Sequence, residues 1–141
     1  MNEAQKNIVR STWAQVRPIA DTAAILFYEK LFEINPTAES LFEGVAMAEQ
    51  RTKLMTMLSA AVGGLDDLNA LIPQLEALAR RHVAYGVTDA HYDTVGAALL
   101  STLQQGLGTA WTPEAAEAWT TAYGLLSGVM RRAAAEEEAA G

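Results

Sequence analysis

Residues 73–87, PQLEALARRHVAYGV, decide how this chain is read. Pro73 suits the first turn of a helix, where the N–H it lacks would go unbonded anyway, and Gly86 suits the residue just past a helix end. The stretch therefore predicts one helix reaching Ala84 or Tyr85. On it His82 follows Leu75, Leu78 and Ala79 at offsets of seven, four and three, which puts its ring on the apolar face. An inward histidine is either a metal ligand or a core residue bonded to a backbone carbonyl, and these fifteen residues leave both open. The other histidine, His91, stands in Thr-Asp-Ala-His at a helix start and reads as solvent-facing.

The same punctuation runs outward in both directions. Apolar residues recur at spacings of three and four between Pro and Gly breaks, and period-two alternation is nearly absent, so the chain reads as all-α. A first helix runs from Asn2, an N-cap type residue, through Ile8, Val9, Thr12, Trp13 and Val16 to a break at Pro18. A second carries Ala24, Leu26, Phe27, Tyr28, Leu31 and Phe32 and stops at Asn35-Pro36, where Pro36 opens a short helix ending near Phe42. Past a looser Glu43–Ala46, a long helix spans Met47–Val62 and ends at Gly63-Gly64, and Asp66–Leu71 reads as a connector. Asp89 caps a helix to Gly106 or Leu107, and Thr112, Pro113 and Glu114 start the last one. Three carboxylates in the closing AAAEEEAAG oppose the helix dipole, so 1–132 reads as the domain and 133–141 as a frayed tail.

Composition narrows the chemistry. The 141 residues are one domain's worth of chain, and 50% hydrophobic content supplies a core. Cysteine is absent, which removes disulfides, thiol nucleophiles, zinc ribbons and iron–sulfur clusters. Ten basic against seventeen acidic residues leave a net charge of −7, so neither nucleic acid nor an anionic membrane is an expected partner. The uncharged stretch Thr94–Pro113 is broken by Gly, Gln and Pro and reads as a buried helix. The charged opening MNEAQKNIVR carries no apolar leader, and the expected location is cytoplasmic.

Two histidines are too few for most zinc sites, whereas a haem iron needs one. Several further residues fall in a telling order: Tyr28; Pro36 with Phe42 six on; Gln50 with Leu54 four on; His82 in Ala-Arg-Arg-His-Val-Ala-Tyr-Gly-Val. After them come His91-Tyr92 with Thr-Val-Gly, then Ala118-Trp119 with Tyr123-Gly124. This set resembles the globins over essentially the whole chain. More narrowly it resembles single-domain bacterial globins of the neuroglobin-like, Hell's Gate type, and more distantly flavohaemoglobin globin domains.

The resemblance implies a globin fold, seven to eight helices packed three over three around haem b. It makes His82 the proximal iron ligand and packs Phe42 on the porphyrin. Gln50 becomes the distal residue and Tyr28 a second distal donor, while Lys53 and Tyr85 are placed near the haem propionates. Leu54, Leu78 and Val87 line the haem, and Tyr92 matches a tyrosine that approaches the proximal histidine in flavohaemoglobins. The glutamate that accompanies it there has no clear counterpart: Ala134 stands at the matching distance from Ala118-Trp119, and Glu136 lies two residues beyond. Neuroglobin has a second histidine where this chain has Gln50, a poor iron ligand, so the resemblance implies an open, five-coordinate iron. Met47, one turn earlier, is a thioether within reach of the same side.

The implied activity is reversible binding of dioxygen, with carbon monoxide and nitric oxide as further ligands, for storage or transport. The alternative is nitric oxide dioxygenation. That reaction needs electrons, and no glycine-rich dinucleotide fingerprint is present, so it would depend on a separate reductase.

Overall fold

The computed structural model describes residues 1–140 and carries six α-helices: α1 Glu3–Val16, α2 Ala20–Ile34, α3 Met47–Gly63, α4 Leu68–Ala84, α5 Asp89–Leu107 and α6 Pro113–Ala140. Three 3₁₀ segments, Arg17–Ile19, Pro36–Phe42 and Gly108–Ala110, link them. The expected short helix after Pro36 is thus a 3₁₀ turn. Among the described residues there is no strand and no helix long and apolar enough to cross a membrane.

Local chemistry accounts for most boundaries. Asn2 and Gln5 form a reciprocal capping box on α1, the Asn2 side chain accepting from the Gln5 amide at 2.8 Å and the Gln5 side chain from the Asn2 amide at 3.0 Å. The Thr112 hydroxyl accepts from the Ala115 amide at 3.1 Å and starts α6. Three expectations need correction. α4 begins at Leu68, not at Pro73, because the Asp67 side chain caps it by accepting from the Ala70 amide at 3.3 Å; Pro73 lies inside an exposed stretch of helix. Thr88, not Asp89, is the N-cap of α5. The tail expected from residue 133 is a continuation of α6, with Ala133 and Ala134 buried.

The helices pack as two layers of three, α1, α3 and α4 over α2, α5 and α6, with α4 laid along α6, α2 on α5 and α1 on α6. Two cores result. The larger is built on Val9, Trp13, Phe27, Leu31, Leu99, Leu103 and Trp119, with half-buried Leu54, Met55 and Leu58 of α3 packed against it. Its tryptophans satisfy their indole N–H groups across helices, Trp13 to Ser59 Oγ at 3.0 Å and Trp119 to Thr12 Oγ1 at 2.8 Å. The smaller joins Leu71, Leu75 and Ala79 of α4 to Tyr92, Met130, Ala133 and Ala134.

The division between the cores positions the site. α3 and α4 are consecutive and antiparallel, yet α3 serves the larger core and most of α4 the smaller. They meet at a tight turn where a Cβ on Gly64 would lie 2.7 Å from Leu71 Cγ, so any larger residue there would have to displace the Leu71 side chain. Asp66 in that turn pairs with Arg10 at 2.5 Å and Lys6 at 3.6 Å, tying it to α1. Beyond the turn the helices leave a cleft of about 140 Å³, lined by Met57, Ala60 and Ala61 from α3 and Leu71, Gln74, Leu75, Leu78 and Arg81 from α4.

Candidate functional site

Helical register extends both walls of this cleft. Gln50, Lys53 and Leu54 fall on the α3 face that carries Met57 and Ala61, and His82 and Tyr85 fall on the α4 face that carries Leu75 and Leu78. Because the helices run antiparallel, the start of α3 and the end of α4 stand at the same, open end.

On the α4 wall, His82 Nδ1 lies 2.8 Å from the Leu78 carbonyl oxygen. A carbonyl only accepts, so Nδ1 carries the hydrogen and Nε2 keeps its lone pair. Burial, with the nearby Arg81 charge, holds the imidazole pKa below its ordinary value despite the Leu78 bond, so the ring is neutral. A neutral imidazole oriented by a backbone acceptor and presenting a free Nε2 is the form that binds a metal.

The backbone around His82 is held just as firmly. The Val87 amide donates to the His82 carbonyl at 3.0 Å and the Gly86 amide to the Val83 carbonyl at 3.0 Å, a Schellman motif with Gly86 at φ +94°. The expectation for Gly86 is met. Tyr85 is 66% exposed, with its ring centroid 6.5 Å from that of His82.

Across the cleft, Gln50 Nε2 donates to the Tyr28 hydroxyl at 3.3 Å, joining α3 to α2 over 22 residues of sequence. Burial raises the Tyr28 pKa above its ordinary value, against smaller lowering effects of Gln50 and Arg51, so the phenol keeps its proton. Its oxygen accepts from Gln50 while its O–H remains available to donate. Phe27, Phe32 and Phe42 surround the ring; Phe42 meets it edge-on at 5.5 Å between centroids. Met47 is half-buried and packs into the same core, as do Phe42 and Leu54. Lys53 is exposed.

Behind α4, Tyr92 is 7% exposed and packs in the smaller core with Leu78 and Val87, its hydroxyl without a partner among the described residues. Glu136 is exposed on α6 and makes no bond to it. Instead the Arg131 guanidinium lies 5.5 Å from the Tyr92 ring centroid, held by Asp93 at 2.6 Å and Asp89 at 3.6 Å. His91 departs from its expected free state: it is half-buried and its Nδ1 accepts from the Thr88 amide at 2.8 Å.

The sequence reading passed over Arg81, Met57 and Gln74, all on the cleft wall. Arg81 was within its reach, since it stands three residues after Leu78 on the same face. No group of three or more His, Cys, Asp or Glu side chains is placed to hold a bare metal ion among the described residues. A metal already carried in a planar macrocycle needs only one protein ligand, and the arrangement suits that. One wall offers a preset imidazole nitrogen, the interior is apolar, and Arg81 and Lys53, neither in an ion pair among the described residues, stand ready for carboxylates.

Comparison with known proteins agrees. The sequence profile of the family described as Globin matches residues 25–130. The chain is 32% identical to a neuroglobin of Danio rerio over 94% of its own length and 91% of that protein. It is 33% identical to a flavohemoprotein of Rhodopirellula baltica over 99% of its own length, but spans only 35% of that longer protein. Its fold is shared with a hexacoordinated haem protein from an anhydrobiotic tardigrade, at a TM-score of 0.87, 18% identity and 95% coverage of each chain. The chain belongs to the globin family, and its cofactor is haem.

Proposed function

We propose that this globin binds dioxygen reversibly, with His82 as the residue that would hold the haem iron and Tyr28 and Gln50 as the hydrogen-bond donors that would meet the bound gas. The observation that carries this reading is the Gln50–Tyr28 pair. Two polar side chains are brought together in aromatic and aliphatic surroundings, and the bond between them uses the phenol oxygen and leaves the phenol proton free. An unreacted donor in a dry pocket is favourable only if an acceptor is to occupy the space beside it.

Haem, when bound, would supply the iron that takes a diatomic gas. The chain's own residues do the rest. His82 is held in the tautomer that presents Nε2, and the Schellman motif fixes its backbone. Tyr28 donates toward the partial negative charge of the ligand, and Gln50 orients the phenol. Phe42, Leu54, Leu78 and Val87 exclude water, which slows oxidation of the iron. Lys53 and Arg81 meet the haem carboxylates, with Tyr85 at the rim. Gln50, a poor iron ligand, stands where a second histidine would close the iron, so with haem bound the chain would leave that side open to a gas.

An optical spectrum of the purified protein tests this, taken ferric, then reduced with dithionite, then under oxygen and carbon monoxide. A strong Soret band, one broad visible band on reduction and a stable oxygenated form are expected. A sharp, split visible band without added gas overturns the five-coordinate reading and points to Met47.

A second reading, conversion of nitric oxide and dioxygen to nitrate with one electron returned by a separate reductase, is favoured by the similarity to a flavohemoprotein. Its test is nitric oxide consumption by the oxygenated protein with a flavoprotein reductase and NADH. Sustained turnover beyond one equivalent supports it, and a single equivalent rejects it.

A further inference from the structure

We propose that His91 is a proton-operated latch on the segment that follows His82: the neutral ring holds the Thr88 amide, and the protonated ring lets it go.

The connection between α4 and α5 has four residues, and each of its amides is engaged. Tyr85 donates to the Arg81 and His82 carbonyls, Gly86 to Val83, and Val87 to His82. Thr88 donates at 2.8 Å to the side chain of His91, the third residue of α5. This is the place that glutamate or glutamine takes in a capping box, where the acceptor persists through the neutral range. A histidine there makes the same bond conditional. Once Nδ1 takes a proton it becomes a donor facing another donor, at the positive end of a helix dipole. The Thr88 hydroxyl, 3.1 Å from Nδ1, can turn to accept from the charged ring; the Thr88 amide cannot.

The Thr88 amide is one residue from Val87, whose own amide closes on the His82 carbonyl. Loosening at Thr88 therefore reaches the last turn of α4 through two adjacent hydrogen bonds. Other charges nearby are committed elsewhere: Asp89 and Asp93 of α5 pair with Arg131 of α6, while Glu138 on α6 and Tyr85 at the end of α4 make no hydrogen bond to the ring. Among the described residues Thr88 is the only hydrogen-bond partner of the His91 ring. His91 is thus a positioning residue, acting on His82 through the backbone.

The consequence for haem rests on His82 as its ligand, whereas the latch itself does not. Haem transfer from the ferric protein to excess apomyoglobin, followed between pH 5 and 8, measures the consequence. His91→Gln keeps an acceptor at every pH. The natural protein is expected to release haem at the same rate as His91→Gln at pH 8 and about fivefold faster at pH 5, the size of one helix-cap interaction. Superimposable pH profiles would overturn the proposal. The second readout is the Thr88 amide resonance of ¹⁵N-labelled protein as purified. It should shift with the His91 ring titration and stay still in His91→Gln; an amide indifferent to that titration rejects the latch. A protein that held no haem would defeat the haem reading and leave this amide test in force.

Discussion

The two walls of the cleft are built by different means. On the α4 wall His82 is fixed by backbone groups: Leu78 orients its ring, Val87 closes on its carbonyl, and Gly86 turns the chain at φ +94°. On the α3 wall the polar groups are fixed by one another, through a 3.3 Å bond between two side chains on different helices. Backbone-held geometry is local and stiff. Side-chain geometry depends on tertiary packing and can give way, which suits a wall that must admit a ligand. Disrupting the α4 wall should therefore cost the cofactor, and disrupting the α3 wall should alter only how long a gas stays.

The largest effect is expected from His82→Ala. No other imidazole stands on the cleft faces, so stable haem binding should be lost, seen as separation of haem on gel filtration and rapid transfer to apomyoglobin. Retention like that of the natural protein would remove His82 from the iron. Tyr28→Phe comes next and leaves the α4 wall untouched. Losing a hydrogen bond to a charged acceptor in a dry pocket, about 1.5–3 kcal/mol, should speed oxygen release by roughly 10- to 150-fold in stopped-flow dissociation, with haem retention unchanged. Gln50→Leu removes the group that orients the phenol, and about a fivefold acceleration is expected, near one neutral hydrogen bond's worth. A larger effect than that of Tyr28→Phe would mean that the amide, not the phenol, meets the ligand.

The contrast between the walls also explains what could be read from sequence. The α4 wall was legible because its determinants are neighbours in the chain: the offsets from Leu75, Leu78 and Ala79 aim His82 inward, and Gly86 marks the helix end. The α3 wall was not legible from residue spacing, because Gln50 between Glu49 and Arg51 gives no local hint of a partner at Tyr28; the ordered resemblance to globins supplied it. The full length of the last helix was not legible for a related reason. Three glutamates near a C-terminus argue locally for fraying, at a few tenths of a kcal/mol each. Burial of Ala133 and Ala134 beside Leu71, Leu75 and Met130 is a tertiary gain that no local rule contains. The start of α4 was not legible because Pro73 fits a first helical turn equally well, whereas the cap is made by Asp67, six residues earlier, on the Ala70 amide.

Gly86→Ala tests the stiffness of the α4 wall without touching His82. Space is open, since the nearest atom to an added Cβ is Leu41 Cδ2 at 3.6 Å, so the cost is conformational. Forcing alanine to φ +94° should destabilise the fold by about 1–2 kcal/mol, lowering Tm by several degrees, and should raise haem loss more than oxygen dissociation. The reverse order of effects would show that the two walls are not held independently.

The smallest expected effect lies at the hinge the walls share. The Arg10 bond to Asp66, helped by Lys6 and opposed by slight desolvation, holds the Asp66 carboxyl pKa below its usual value. A carboxylate whose folded pKa is depressed adds stability that is full above the unfolded value, near 4, and is lost as pH falls through the lower folded value. Asp66→Asn should therefore differ from the natural protein in urea unfolding by a small margin at pH 7 that shrinks in high salt, and that margin should narrow as pH falls below 4 and vanish only below the lowered folded value. Since the pair clasps the Gly64–Asp67 turn to α1 and contacts neither wall, oxygen and haem kinetics should be the same in both proteins at pH 7. A change in either would mean that the angle between α3 and α4 is set at this turn, and that the two cores do not fix their helices separately.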